Sequence, residues 1–200
     1  MASCVIEILE REGFSLSLVD IGHLFGSTDN DHLWEEMLVS RTGGAFNAHR
    51  VGLALGEILP SRVDALPAMP GVVEVLDAAE RLGFFTCLAT GHDRRSLGEH
   101  LARLGLAARF DSIVTAAEVA RGKPAPDIFL EAAHRLGVRP DECLVLEDSI
   151  HGCEAATTAG MSVIACPSRV SAHLTYPSNV LQVASLEEVV TSAEWTAWAS

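Results

Sequence analysis

The sequence is short of positive charge, with 14 Lys and Arg against 27 Asp and Glu, a formal net charge of -13 and a pI near 4.9. So acidic a chain repels a phosphate backbone, which argues against nucleic acid as a partner. It suits Mg²⁺, and it suits a small phosphorylated ligand only where a cation and local donors offset the field. No apolar run approaches a membrane span, and no basic region precedes an apolar stretch near Met1. No membrane partner is therefore expected, and a cytoplasmic location is. The cysteines Cys4, Cys87, Cys143, Cys153 and Cys166 are odd in number and contain no C-x-x-C pair. Three of them lie in apolar runs, as buried thiols in a reducing compartment would. Catalytic signatures are missing too. No H-E-x-x-H, G-x-S-x-G or strand-linked G-x-G-x-x-G occurs, and the histidines are scattered over different elements. Zinc hydrolysis, a serine triad and a dinucleotide cofactor all lack support.

What is present is a core. A hydrophobic fraction of 48% and a mean hydropathy of +0.26 over 200 residues suit one α/β domain with a small second lobe. Residues 1–64 read as helical, with apolar spacings of three and four in VIEILE (5–10), DIGHLF (20–25) and DHLWEEML (31–38). ALPAMPG (65–71) then reads as a linker, and from 72 onward the pattern alternates. Helices are expected over 72–83, 94–106, 126–137 and 152–160, and strands over 84–90, 112–116, 143–148, 162–166 and 180–185. Strands that are apolar throughout and separated by helices predict a parallel, Rossmann-like α/β sheet covered on both faces. A ligand site in such a sheet lies beyond the carboxyl ends of the strands.

The residues delivered to that rim carry the chemistry. The first strand ends in Thr90-Gly91, a hydroxyl and an unhindered amide at a helix start, both able to donate to phosphate. Asp93 reads as the cap of the next helix, and His92 and Arg94 as possible rim contacts. The loop after the second strand carries Lys123 between Gly122 and Pro124, held away from helical backbone by the proline. Without the glycines and hydroxyl of a Walker A loop, this lysine is either a solvated loop residue or an ammonium aimed at a phosphoryl oxygen. The third of these strands ends in Glu147-Asp148. Adjacent carboxylates there either cap the next helix or hold Mg²⁺. The convergence of a hydroxyl, a cation and two acids on one rim favours the second reading of each.

Taken together, LATGHDRRS (88–96), ARGKPAPDIFLEAAHRLGV (120–138) and CLVLEDSIHGCEAATTAGM (143–161) resemble the haloacid dehalogenase (HAD) superfamily. The likeness is to the branch of small-molecule phosphatases and β-phosphoglucomutase-like enzymes. It implies a helical cap over 1–64 and a HAD-like α/β core over 65–200. It also implies phosphate binding by Thr90, Gly91 and Lys123, catalytic assistance from Lys123, and Mg²⁺ on Glu147 and Asp148. The substrate would be a small phosphorylated metabolite, with cap residues near Phe25-Gly26 or His49-Arg50 as candidates to face it; no oligomeric state is implied.

One part of the family pattern does not occur. The resemblance calls for an aspartate nucleophile in a D-x-D-G-T motif on a strand ahead of the cap, placed mid-sheet between the strands bearing Thr90 and Glu147. Asp29-Asn30-Asp31 spells D-x-D, yet no apolar run precedes it and His32-Leu33 follows, as at the capped start of a helix. With no nucleophile assigned, the expectation is an inactive chain, set by a start placed too far downstream. The alternatives are a natural remnant that binds phosphate or a protein, a phosphomutase, and a dehalogenase. The acids and the Lys-Pro loop fit phosphate and magnesium better than halide.

Overall fold

The computed structural model describes residues 65–199, together with the isolated positions Ile6, Glu10, Ser17, Glu36, Val39 and Ser40. The expected cap over 1–64, the Asp29–Asp31 turn and the candidates at 25–26 and 49–50 lie outside the described residues apart from those positions. No helix among the described residues is long and apolar enough to cross a membrane.

From residue 72 the chain alternates as the apolar runs require. Helix α1 (Val72–Leu82) leads into β1 (Cys87–Thr90), then α2 (Arg94–Arg103), β2 (Ser112–Thr115) and α3 (Asp127–Leu136). Strand β3 (Leu144–Glu147), α4 (Ile150–Thr158), β4 (Ser162–Ala165), β5 (Leu181–Gln182), α5 (Leu186–Val189) and α6 (Ala193–Trp198) follow. Every pairing is parallel. β1 lies against β2 with Thr90 opposite Thr115, and β3 lies against β4 with Glu147 opposite Ala165. The described strands form two sheets, β1-β2 and β3-β4-β5, rather than one continuous ladder.

Side chains alternate between two covered faces. Val114, Val145, Val163 and Ala165 pack with Ile128 and Phe129 of α3 and Cys153 and Ala156 of α4. On the other face Leu144, Leu146 and Ile164 meet Ala78 of α1, Val189 of α5 and Trp195 of α6. Leu88 and Ile113 meet Leu76 of α1 and Leu101 of α2. Thus α1 contacts the strands of both sheets, and the first cluster draws on both as well. Ile128 and Ile164, one on each face, are fully buried, and each contributes roughly 1.5–3 kcal/mol by leaving water.

The elements differ from expectation mainly at their ends. β1 starts at Cys87 because Phe84 is drawn into an aromatic cluster with Trp198 (centroids 4.5 Å apart) and Trp195 (6.4 Å). That cluster also accounts for the tryptophans of α6, of which Trp195 packs into the core and Trp198 is half-buried against Phe84. Helix α4 begins at Ile150 rather than 152, since the Ser149 hydroxyl accepts the Gly152 N–H at 3.0 Å and caps the earlier turn. Gly71 opens α1 at φ 87°, and a Cβ there would lie 2.4 Å from the Glu187 nitrogen, so only glycine admits α5 so closely.

Cys153 and Cys166 are buried, Cys87 and Cys143 half-buried, and all four are free thiols. Burial pushes the Cys153 thiol up to about 12, which keeps it inert.

Candidate active site

The site is assembled from three strand ends. Thr90 closes β1, and its hydroxyl oxygen accepts the His92 N–H at 3.1 Å. That bond uses an acceptor lone pair and leaves the hydroxyl proton to donate. The amide of the exposed Gly91 opens the same turn, with no partner among the described residues. Asp93 caps α2 as expected, accepting from Arg95 N at 3.1 Å and Ser96 N at 3.0 Å, and these bonds hold its carboxyl below the usual range. Arg94 is not a rim contact. It is drawn to Glu118 (3.0 Å) and to the Ile113 carbonyl (2.7 Å), where a carboxylate outcompetes water.

Lys123 is not a solvated loop lysine. It is 6% exposed, lies with its ammonium 4.9 Å from the centre of the Phe129 ring, and pairs with the Glu147 carboxylate. The loop that presents it is closed by a fork from Arg121 to Asp127, with bonds of 2.7 and 3.2 Å that hold the Asp127 carboxyl below its ordinary range. The Lys123–Pro124 peptide is cis. Because this loop leaves β2 and reaches the end of β3, the Lys123–Glu147 pair ties the carboxyl sides of the two sheets together.

The adjacent acids have different employment. Glu147 is buried with its side chain 8% exposed; Oε1 accepts from Lys123. Its Oε2 accepts from Asp148 N (3.0 Å), Ser149 N (3.1 Å) and Ser149 Oγ (2.9 Å). The space it occupies exists because residue 152 has no side chain. A Cβ on Gly152 would fall 2.0 Å from Glu147 Cδ and Oε1.

Asp148, by contrast, opens to solvent, and no other residue among those described donates a hydrogen bond to its carboxylate. The protein mass around it, which strips part of its hydration, and then the Glu147 charge push its carboxyl above the usual range. A cation would relieve both effects, so the hard oxygen donors here fit Mg²⁺. Asp148 would be the free ligand, and Glu147 would offer the spare lone pair on Oε1. Among the described residues no third His, Cys, Asp or Glu joins them; magnesium also accepts water and substrate oxygens as ligands.

Behind Asp148 are two residues that sequence reasoning passed over. Ser171 Oγ and Tyr176 Oη both donate to the Asp148 carbonyl, at 2.7 and 2.6 Å. Burial pushes the Tyr176 phenol up to about 12, so it stays a donor throughout the neutral range. Neither lies in a recognisable motif, although Tyr176 is the chain's single tyrosine and Lys123 its single lysine.

Comparison with known proteins bears on this arrangement. The family model of the haloacid dehalogenase-like hydrolases matches residues 8–160. The chain belongs to that family. A Bacillus subtilis (strain 168) relative, "Putative phosphatase YhcW", is 34% identical over 183 residues, or 92% of this chain and 83% of that one. "Fructose-1-phosphate phosphatase YqaB" of Escherichia coli K12 is 39% identical over 101 residues, 45% of this chain and 54% of that one. Six other curated relatives are likewise matched over about half their length or less. Among solved structures, a haloacid dehalogenase-like protein from Agrobacterium tumefaciens superposes with a TM-score of 0.77 at 25% identity, covering 98% of this chain and 90% of that one. This HAD-like hydrolase therefore has phosphatases among its sequence relatives.

Proposed function

We propose that this HAD-like chain serves Mg²⁺-dependent hydrolysis of the phosphate ester of a small metabolite, with residues 65–200 as the core beneath a cap in 1–64. The observation that carries the reading is the buried Lys123–Glu147 pair beside the free Asp148 carboxylate, on the same strand-end side as Thr90. Thr90 Oγ1 and the Gly91 amide donate to phosphoryl oxygens, and Lys123, oriented by Glu147, supplies the positive charge that an acidic protein otherwise lacks. Asp148, with Glu147 behind it, holds the cation, which when bound screens the charge of the phosphoryl group. The alternative of halide chemistry gains nothing from a lysine and two acids so arranged.

In this reading the nucleophile is an aspartate of a D-x-D-G-T strand that the sequence does not contain, so the 200 residues bind phosphate and cation without turnover. The test is to express the 200 residues with and without an added N-terminal segment that carries a D-x-D-G-T strand. Phosphate release is then assayed from a panel of phosphorylated carbohydrates with and without Mg²⁺. Turnover is expected only from the longer product, only with Mg²⁺, and not in Asp148→Asn. Metal-dependent turnover by the 200 residues alone would overturn the assignment of the nucleophile. Turnover indifferent to Asp148→Asn would overturn that of the cation.

A further inference from the structure

The backbone of Asp148 is held on both sides, while no other residue among those described donates a hydrogen bond to its carboxylate. Its N–H donates to Glu147 Oε2 at 3.0 Å, and its carbonyl receives the hydroxyls of Ser171 (2.7 Å) and Tyr176 (2.6 Å). Both hydroxyls come from the segment after β4, more than twenty residues further along the chain, and both residues are buried, 3% and 5% exposed. Ser171 is itself fixed, its oxygen accepting the Ser168 N–H at 3.0 Å. A buried carbonyl needs one donor. Two donors from a distant segment, on the residue just ahead of a helix cap, exceed what satisfying that carbonyl requires. Fixing both peptide groups of a residue fixes the direction of its Cα–Cβ bond. The Asp148 carboxylate then has only its own side-chain rotations to lose when a ligand arrives.

We infer that Ser171 and Tyr176 are positioning residues for the cation, a two-hydroxyl clamp that aims the Asp148 carboxylate by gripping its carbonyl. The inference rests on Asp148 being the cation ligand, as proposed above. Neither residue touches the cation, and the effect passes through one peptide group. An aimed acid gains affinity because less freedom is lost on binding. Outer partners of metal ligands commonly change metal affinity by about 10–100-fold.

The experiment is calorimetric titration of Mg²⁺ alone into the full 200-residue chain, at a temperature where circular dichroism shows each variant folded. The set is wild type, Asp148→Asn, Ser171→Ala, Tyr176→Phe, the double variant Ser171→Ala/Tyr176→Phe, and Thr175→Ala as a control in the same segment. Binding should vanish in Asp148→Asn and stay unchanged in Thr175→Ala. It should weaken about tenfold in the double variant, at the low end of that range, and less in each single. A purely structural role for the hydroxyls would lower the melting temperature yet leave the affinity of the folded protein untouched. That result, in the double variant or in both singles should the double not fold, overturns the clamp and leaves the cation assignment standing. A wild type that takes up no Mg²⁺, or an Asp148→Asn variant that binds as well as wild type, overturns the cation assignment and the clamp with it.

Discussion

Lys123 meets Glu147 inside the protein, each side chain 8% exposed, whereas Glu118 meets Arg94 and Arg135 at the surface. The inner pair joins the carboxyl sides of two sheets, and its charges have little recourse to water. The outer trio braces one strand. Arg94 and Arg135 share Glu118 and both donate to the Ile113 carbonyl, at 2.7 and 3.0 Å, which occupies a β2 carbonyl that could otherwise pair with another chain. Glu118 accepts from the Thr115 hydroxyl and amide, each at 2.8 Å, and these bonds, ahead of its arginines, bring its carboxyl down to about 2. On the function proposed above, the inner pair serves the site and the outer trio serves the structure. A buried pair costs several kcal/mol per ion to desolvate, and such an outlay is consistent with a site that must present an ammonium to a phosphate. The surface trio needs no such purpose.

The contrast can be broken most forcefully at Lys123. Replacing it by Met leaves Glu147 buried and unpaired, and the expected loss is about 3–5 kcal/mol in urea unfolding. Adding Glu147→Gln should restore part of that loss, since the stranded charge is gone while the bonds to Asp148 and Ser149 can persist. A Lys123→Met variant as stable as wild type would place the inner pair on the same footing as the outer one.

Gly152→Ala is next. The added methyl group would overlap the Glu147 carboxylate, for an expected cost of about 1–3 kcal/mol by overpacking. The damage should fall on Lys123 as well, readable as faster labelling of the chain's single lysine by an amine-selective reagent. Protection equal to wild type would mean that Glu147 has another place to go.

At the surface the effects shrink. Arg94→Ala, removing a side chain 55% exposed, should cost about 1 kcal/mol or less and lose its effect as salt rises. A larger, salt-independent loss would show that the trio matters to stability as much as the inner pair does.

The smallest effect is confined to acid. The folded Glu118 carboxyl lies near 2 against an ordinary value of 4.5. Its contribution is complete above about 4.5 and lost as pH falls toward 2. Between those limits wild type should lose its advantage over Glu118→Gln in melting temperature, and above them the gap should stay constant. A gap that persists at pH 2 would remove Glu118 as its source.

Much of this was legible from residue patterns. Apolar runs separated by amphipathic helices carry their own periodicity, and a strand that must be buried on both faces announces itself in any context. That is why β1 to β4 and the helices between them lie where the runs place them, with end shifts set by Ser149 and Phe84. The site was legible as a set of strand ends, because a parallel sheet delivers those ends to one side whatever the details. Tyr176, Ser171 and Gly152 were not legible. Each acts through a contact with a residue distant in sequence or through space left empty, and neither leaves a periodic trace.

The order of elements, the parallel sense of the strands and the family were thus determined by the sequence alone, since local periodicity and short motifs are properties of neighbours along the chain. The different surroundings of the two adjacent acids were decided only by tertiary structure. Glu147 and Asp148 are the same kind of group one residue apart, and nothing local distinguishes them. Folding turns Glu147 inward onto Lys123 and leaves Asp148 open to solvent, because the buried ammonium and the space left at Gly152 take in the first carboxylate alone.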